Sequence, residues 1–344
     1  MTENSGVAAP HAKSSRRFWG MLIRIVVALA LFAWLGTHLD WHTIVATLAA
    51  IDPKLAAAGV AVLWLGLGIA VVRWHRLLVA LGFKMGWPET VRVLGAGLFL
   101  SLFLPTSIGG DVYRLARVSR RGGGAGRAGV SLLAERGIGL LALLMLVAPV
   151  VAVHARTRDL MPLALGLGAT ALSALFILAL WGRPVTHFLA ARVRILEPVL
   201  GRGTWDAIAA QAPAVFGLSL LIHLTTVFSN VLLARALHVP LSFWDAMALI
   251  PLVILAGQLP IAPGGLGVRE AAFVFFLSRV GIGKEQALAI GITWLASLYL
   301  TGLVGAMLFL VDRQASGGAP VVVSDLAEVV PEVGGGVDTR AGEP

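Results

Sequence analysis

Cysteine is absent from all 344 residues. Disulfides, thiolate metal sites and a cysteine nucleophile are therefore excluded. Charge is scarce: 13% of the residues are charged, about half the ~25% usual in soluble domains. No long polar stretch occurs, which excludes a large soluble domain. Catalytic signatures are missing too. The eight histidines form no His-Glu-x-x-His pattern, so metal catalysis is not expected. There is no Gly-x-Ser-x-Gly elbow. The stretch "RRGGGAGR" at 120–127 lacks the Lys-Ser/Thr of a phosphate-binding loop and reads as a flexible cytoplasmic loop. Without a nucleotide motif, the chain by itself is not expected to use ATP.

What is present is apolar. Hydrophobic residues make up 58% of the chain, and they gather in runs of roughly 20, the length that crosses a bilayer. Full spans are predicted at 18–39, 55–76, 129–153, 160–182, 213–237 and 287–311. The net charge of +9 fits Lys and Arg collecting in cytoplasmic loops, not a nucleic-acid surface. Residues 1–17 read as a cytoplasmic tail whose Arg16 and Arg17 precede the first span. That run is too long for a signal-peptide core. Residues 41–51 read as a short interfacial helix anchored by Trp41, and 313–344 as a disordered cytoplasmic tail.

Two regions, 91–121 and 246–280, break the pattern. Each holds a short apolar run, an interruption, and a second short run. The interruptions share a phrase: "FLPTSIGGDVYR" ends at Arg114 and "QLPIAPGGLGVR" at Arg269. Each half is too short to cross, which predicts re-entrant helical hairpins. The basic residues agree. With hairpins, nineteen of the 27 Lys and Arg fall in inside segments, including 73–92 and 114–127, and six fall outside. A full crossing at 91–112 would reverse that bias. The order is then span, span, hairpin, span, twice. An odd number of crossings per copy inverts the second. The prediction is an all-α polytopic membrane protein of two inverted repeats, 18–153 and 154–312, with about six full spans plus two re-entrant hairpins.

The phrase has a chemistry. Pro105 and Pro260 lack an N–H and disfavour helix before them. Gly109, Gly110, Gly264 and Gly265 permit turns that other residues resist. A new half-helix starts after each pair, with free N–H groups and a positive dipole end. Arg114 and Arg269 follow within about a turn. Together these make an anion pocket suited to a phosphate. A second reading pairs these arginines with Asp111 and Glu270 to lock each hairpin. Glu135 and Arg136 open the next span and could pair with Arg114 or Asp111. Both readings stand on the residues alone. Ser219, His223, Thr226 and Asn230 share one helical face. They serve either as interhelical hydrogen bonds or as the lining of a headgroup path, with His223 able to carry a proton. Thr293, Ser297 and Thr301 form a similar face.

The segments "LPTSIGGDVYRLARVSRRGGG", "SLLAERGIGLL" and "QLPIAPGGLGVREAAFVFFLSRVGI" resemble the lysylphosphatidylglycerol synthase transmembrane region, also called the flippase-like family. The resemblance covers about residues 18–312. It implies a lipid-translocating role for Pro105, Gly109, Gly110, Asp111, Arg114, Pro260, Gly264, Gly265, Gly267, Arg269 and Glu270. It also implies a bacterial inner-membrane location; the distribution of Lys and Arg puts both termini on the cytoplasmic side. The aminoacyl-transferase domain of the two-part enzymes is not in this sequence, so synthase activity is not expected. The expected partner is a membrane lipid with an anionic or phosphate-bearing headgroup, and no cofactor is implied. Two alternatives remain. One is an intramembrane enzyme on a lipid phosphate, with Asp111 or Glu135 as base. The other is a non-transporting partner of a lipid-biosynthesis enzyme.

Overall fold

The computed structural model describes residues 39–103, 109–192, 202–259, 262 and 265–315, with Val26, Ala30, Ala33, Gly36 and Thr37. Pro105, Pro260, Gly264, both expected tails almost entirely and most of the expected first span lie outside these residues. Among the described residues there are ten α-helices and no strand. They are α1 (Trp41–Ala49), α2 (Pro53–Ala80), α3 (Trp87–Phe103), α4 (Gly109–Val118) and α5 (Gly124–Val153). There follow α6 (Met161–Arg192), α7 (Arg202–Ala236), α8 (Phe243–Gln258), α9 (Val268–Leu277) and α10 (Lys284–Ala315).

Side-chain caps set several starts. Asp40 opens α1, accepting from the His42 N–H at 3.0 Å and the Thr43 hydroxyl at 2.6 Å. Asp52 opens α2 ahead of Pro53, accepting from the Lys54 N–H at 2.8 Å. Ser242 opens α8, accepting from the Asp245 N–H at 3.1 Å. Among the described residues, five helices are long and apolar enough to cross a membrane: Pro53–Ala80, Gly124–Val153, Ala155–Ile177, Gly203–Ala236 and Lys284–Gln314. These match five of the six expected spans. Leu65, Leu133, Phe176 and Met307 expose large apolar side chains on the helix surfaces, as lipid contact requires. The chain is a multi-pass membrane protein.

Each of the two interrupted regions, here called an excursion, holds two short helices, α3 and α4 in the first and α8 and α9 in the second. Their second arms, α4 and α9, have 10 residues each, far short of a crossing. Glu89, at the start of α3, pairs with Arg121 just past α4. Near the other end of α5, Arg156 joins Asp245, near the start of α8, to the Val280 carbonyl beyond α9.

Packing partners recur between the halves. α2 lies along α7. α3 packs on α10, while α8 packs on α5; α4 packs on α5, and α9 on α10. α8 is buried without interruption from Asp245 to Val253, as expected of a helix apolar on all sides.

Part of the stretch 120–127, expected as a loop, is helical: α5 begins at Gly124, and just before it the backbone turns at Arg121 and Gly122, whose dihedrals are not helical. Gly122 and Gly124 take φ of 92° and 74°, a left-handed geometry that glycine adopts without a Cβ penalty. The Glu89–Arg121 pair and buried Ala128 hold the turn in place.

Candidate functional site

Arg73 is not among the residues that the sequence singles out for the site. It lies inside α2, seven residues before the helix ends, and its side chain is largely buried. It donates to Glu135 Oε1 on α5 at 2.7 Å and to the Ser219 hydroxyl on α7 at 3.1 Å. Arg114 on α4 donates to the other oxygen of Glu135. Its guanidinium carbon lies 4.0 Å from the ring centroid of Trp74, a cation–π contact. Asp111 lies 3.5 Å from Arg114 and pairs with Arg136, which is 59% exposed. Of the predicted residues, Asp111, Arg114, Glu135 and Arg136 thus converge in one network. Three guanidinium groups face two carboxylates, with Glu135 shared between two of the cations. Among the described residues, the buried Nε–H groups of Arg73 and Arg114 have no partner.

Close backbone contact makes this geometry possible. A Cβ on Gly110 would collide with the Gly97 carbonyl oxygen and the Ser101 hydroxyl. One on Gly97 would meet the Arg114 Cδ at 2.9 Å. Glycine on both arms therefore lets α4 lie against α3 and lets the Arg114 stem run over it. Gly109 is the first residue of α4.

The second excursion repeats the device. A Cβ on Gly265, whose φ is 72°, would collide with the Gly257 carbonyl oxygen. The Arg269 stem passes over Gly257, 3.5 Å from where its Cβ would stand. Arg269 donates to Glu270 Oε1 through Nε and one Nη at 3.2 and 3.1 Å. Its guanidinium carbon is 5.1 Å from the Trp294 ring centroid. The other Glu270 oxygen accepts from the Gly267 N–H at 2.7 Å and so caps α9. Gly267 itself takes a φ of 80°. Among the described residues, no hydrogen bond or ion pair joins this pair to the Arg114 network. The structure holds two constellations.

The polar stripe divides. His223 donates through Nε2 to the Gly139 carbonyl on α5 at 3.0 Å, and Ser219 serves Arg73. Asn230 is buried, gives its amide N–H to the Thr226 carbonyl on its own helix at 2.9 Å and joins neither constellation. Thr293, Ser297 and Thr301 bond carbonyls one turn back at 2.7–2.8 Å. Among the described residues, no group of three His, Asp or Glu could hold a metal ion.

An apolar groove of about 360 Å³ lies between α2, α3 and α10. Trp64, Val71, Leu94, Leu98, Val304 and Leu308 line it. Trp64 is fixed there by donating to the Thr301 hydroxyl at 3.0 Å.

Sequence reading missed Arg73, Gly97, Gly257 and Trp294. A cation inside an apolar run was the available signal for Arg73, and its nearness to a helix end hid it. The two glycines carried no signal, because only the fold brings a second backbone against them.

A family model described as the lysylphosphatidylglycerol synthase TM region matches residues 21–305. No curated protein matches the chain.

Proposed function

This chain belongs to the lysylphosphatidylglycerol synthase TM region family, and we propose that it moves a phosphate-bearing lipid between membrane leaflets, without covalent chemistry. One observation carries this reading: Arg73 and Arg114 share a single buried carboxylate and retain unused N–H donors. A buried arginine costs ~2.5–3.5 kcal/mol or more to place in a membrane and is normally functional. Two of them on one carboxylate leave positive charge that an incoming phosphate can satisfy bidentately.

In this mechanism the headgroup enters between α2, α4 and α5 and displaces Glu135 from one or both arginines. Protonation of the freed Glu135 would couple movement to a proton gradient; without it the lipid moves downhill. One acyl or prenyl tail rides in the groove, whose lining is almost wholly apolar. The excursions act as re-entrant hairpins in two inverted repeats, each approaching mid-membrane from its own side. The exchange of packing partners between the halves supports this, as do the pairs of Glu89 with Arg121 and of Asp245 with Arg156 near opposite ends of α5. The termini then face the cytoplasm of a bacterial inner membrane.

The test is reconstitution in vesicles carrying fluorescent phosphatidic acid, with outer-leaflet quenching. The wild-type chain is expected to exchange the lipid between leaflets, and Arg73→Ala and Arg114→Ala to slow exchange at least tenfold. Wild-type vesicles that exchange no faster than protein-free ones would sink the reading. A non-transporting platform for a biosynthetic enzyme is the second reading, favoured by the pairing of Arg269 with Glu270. It predicts that neither the wild-type chain nor Arg269→Ala exchanges lipid faster than protein-free vesicles.

A further inference from the structure

The groove between α2, α3 and α10 has a polar end and an apolar body. At one end the Trp64 indole donates to the Thr301 hydroxyl, and Thr301 donates in turn to the Ser297 carbonyl at 2.7 Å. Both groups are thus satisfied, and nothing there addresses a polar ligand. From Trp64 the lining runs along α2 to Val72, about 12 Å by the helical rise. That is close to the ~15 Å depth of one leaflet's hydrocarbon. Trp64, Trp87, Val91 and Val304 are exposed, so a lipid chain reaches the groove from the bilayer. Gly68 leaves room for it: nothing lies within 4 Å of its Cβ position.

Trp64, Gly68 and Val72 recur every four residues and so share one face of α2. The next residue of that row is Arg76. It is exposed and has no hydrogen-bond or ion-pair partner among the described residues. Its neighbours at this end of the bundle differ. Arg92 and Arg117 lie against Asp312, and Arg121 pairs with Glu89. An uncommitted cation therefore stands where the groove's row leaves the apolar layer, at the level of lipid headgroups.

We infer that the groove and Arg76 form one site for an anionic phospholipid of the adjoining leaflet, with a single chain against Gly68 and the phosphate on Arg76. Arg76 lies one turn of α2 from Arg73, so the site is a first station for a headgroup bound inward. That role rests on the transport reading above; the binding site does not. The test places the full chain in phosphatidylcholine vesicles with a trace of phosphatidic acid or phosphatidylcholine carrying a mid-chain nitroxide. The wild-type chain is expected to restrict the motion of both, with about a fivefold preference for phosphatidic acid, the worth of one cation near the surface. Gly68→Leu fills the groove, favours helix, and should lower the restricted signal of both lipids. Arg76→Gln should abolish the preference and keep the phosphatidylcholine signal. Arg313→Gln, an exposed cation at the end of α10, should change neither. A restricted signal that Gly68→Leu leaves unchanged is ordinary boundary lipid and overturns the inference. So does equal loss of preference in Arg76→Gln and Arg313→Gln, which marks diffuse surface charge. Displacement of the labelled lipid by inorganic phosphate would mark Arg76 as a free-phosphate site, and loss of a dimer in Gly68→Leu would put a second copy in the groove; either overturns it. A wild-type chain with no preference also overturns it, and that comparison needs no variant. None of these signals reads exchange between leaflets, so the transport reading stands or falls separately.

Discussion

Glu135 is the residue on which the first site turns. It is buried on α5 and takes one guanidinium on each carboxylate oxygen. Removing a carboxylate from two buried cations leaves their desolvation uncompensated, a loss of roughly 3–5 kcal/mol for a broken buried pair. Glu135→Gln should therefore lower the melting temperature in detergent more than Arg136→Gln, because Arg136 is mostly exposed. Arg73 and Glu135 should also be coupled. A double-mutant cycle on Arg73→Ala and Glu135→Ala, read by thermal unfolding, should give about 0.5–3 kcal/mol. Additivity would mean that the contact carries no energy. Arg73 also shows where sequence reasoning stopped. A cation at the end of an apolar run can snorkel to the headgroups or turn inward. Which of these happens depends on whether α5 and α7 present Glu135 and Ser219 to it.

Among elements, the close contacts between the arms of each excursion decide the geometry. Gly110→Ala and Gly265→Ala should each destabilise by about 1–3 kcal/mol, because the new methyl meets a backbone carbonyl that cannot rotate away. The loss should be larger at Gly265, where the positive φ adds strain. Gly137→Ala, with nothing within 4 Å of its Cβ position, should be near neutral by the same thermal assay. The doubled Gly-Gly phrase made one partner of each contact legible in the sequence. Gly97 and Gly257 were not, since a helical glycine reveals nothing of what packs on it. The outer ends of the excursions are clamped by buried aspartates. Asp312 on α10 accepts from Tyr113 at 2.5 Å and pairs with Arg117 at 2.8 Å and Arg92 at 3.7 Å. Asp245 holds His154 and Arg156, both at 2.8 Å. Asp312→Asn should loosen both arms of the first excursion, seen as faster amide exchange in α4 than in α9. Equal protection in the two helices would argue against a clamp.

For the whole molecule, the absence of cysteine makes orientation directly testable. A single introduced cysteine is the only thiol in the chain. Lys84 and Arg158 are exposed near opposite ends of the bundle, beyond α2 and beyond α5. Lys84→Cys should react with an impermeant maleimide only from the cytoplasmic side, and Arg158→Cys only from the outside. Labelling of both from one side would contradict inverted repeats.

The sequence by itself determined that the chain lives in a membrane, where its apolar runs lie, and where two short helices break. Each of these follows from local apolar length and from residues whose backbone preferences act in place. The tertiary structure decided the rest. It brought Arg73 and Arg114 to a single carboxylate, gave Glu270 to Arg269, and laid that arginine over the Trp294 ring. Those outcomes depend on which helices meet and at what distance. A buried charge or donor is stabilised only by groups that packing brings within about 3 Å of it.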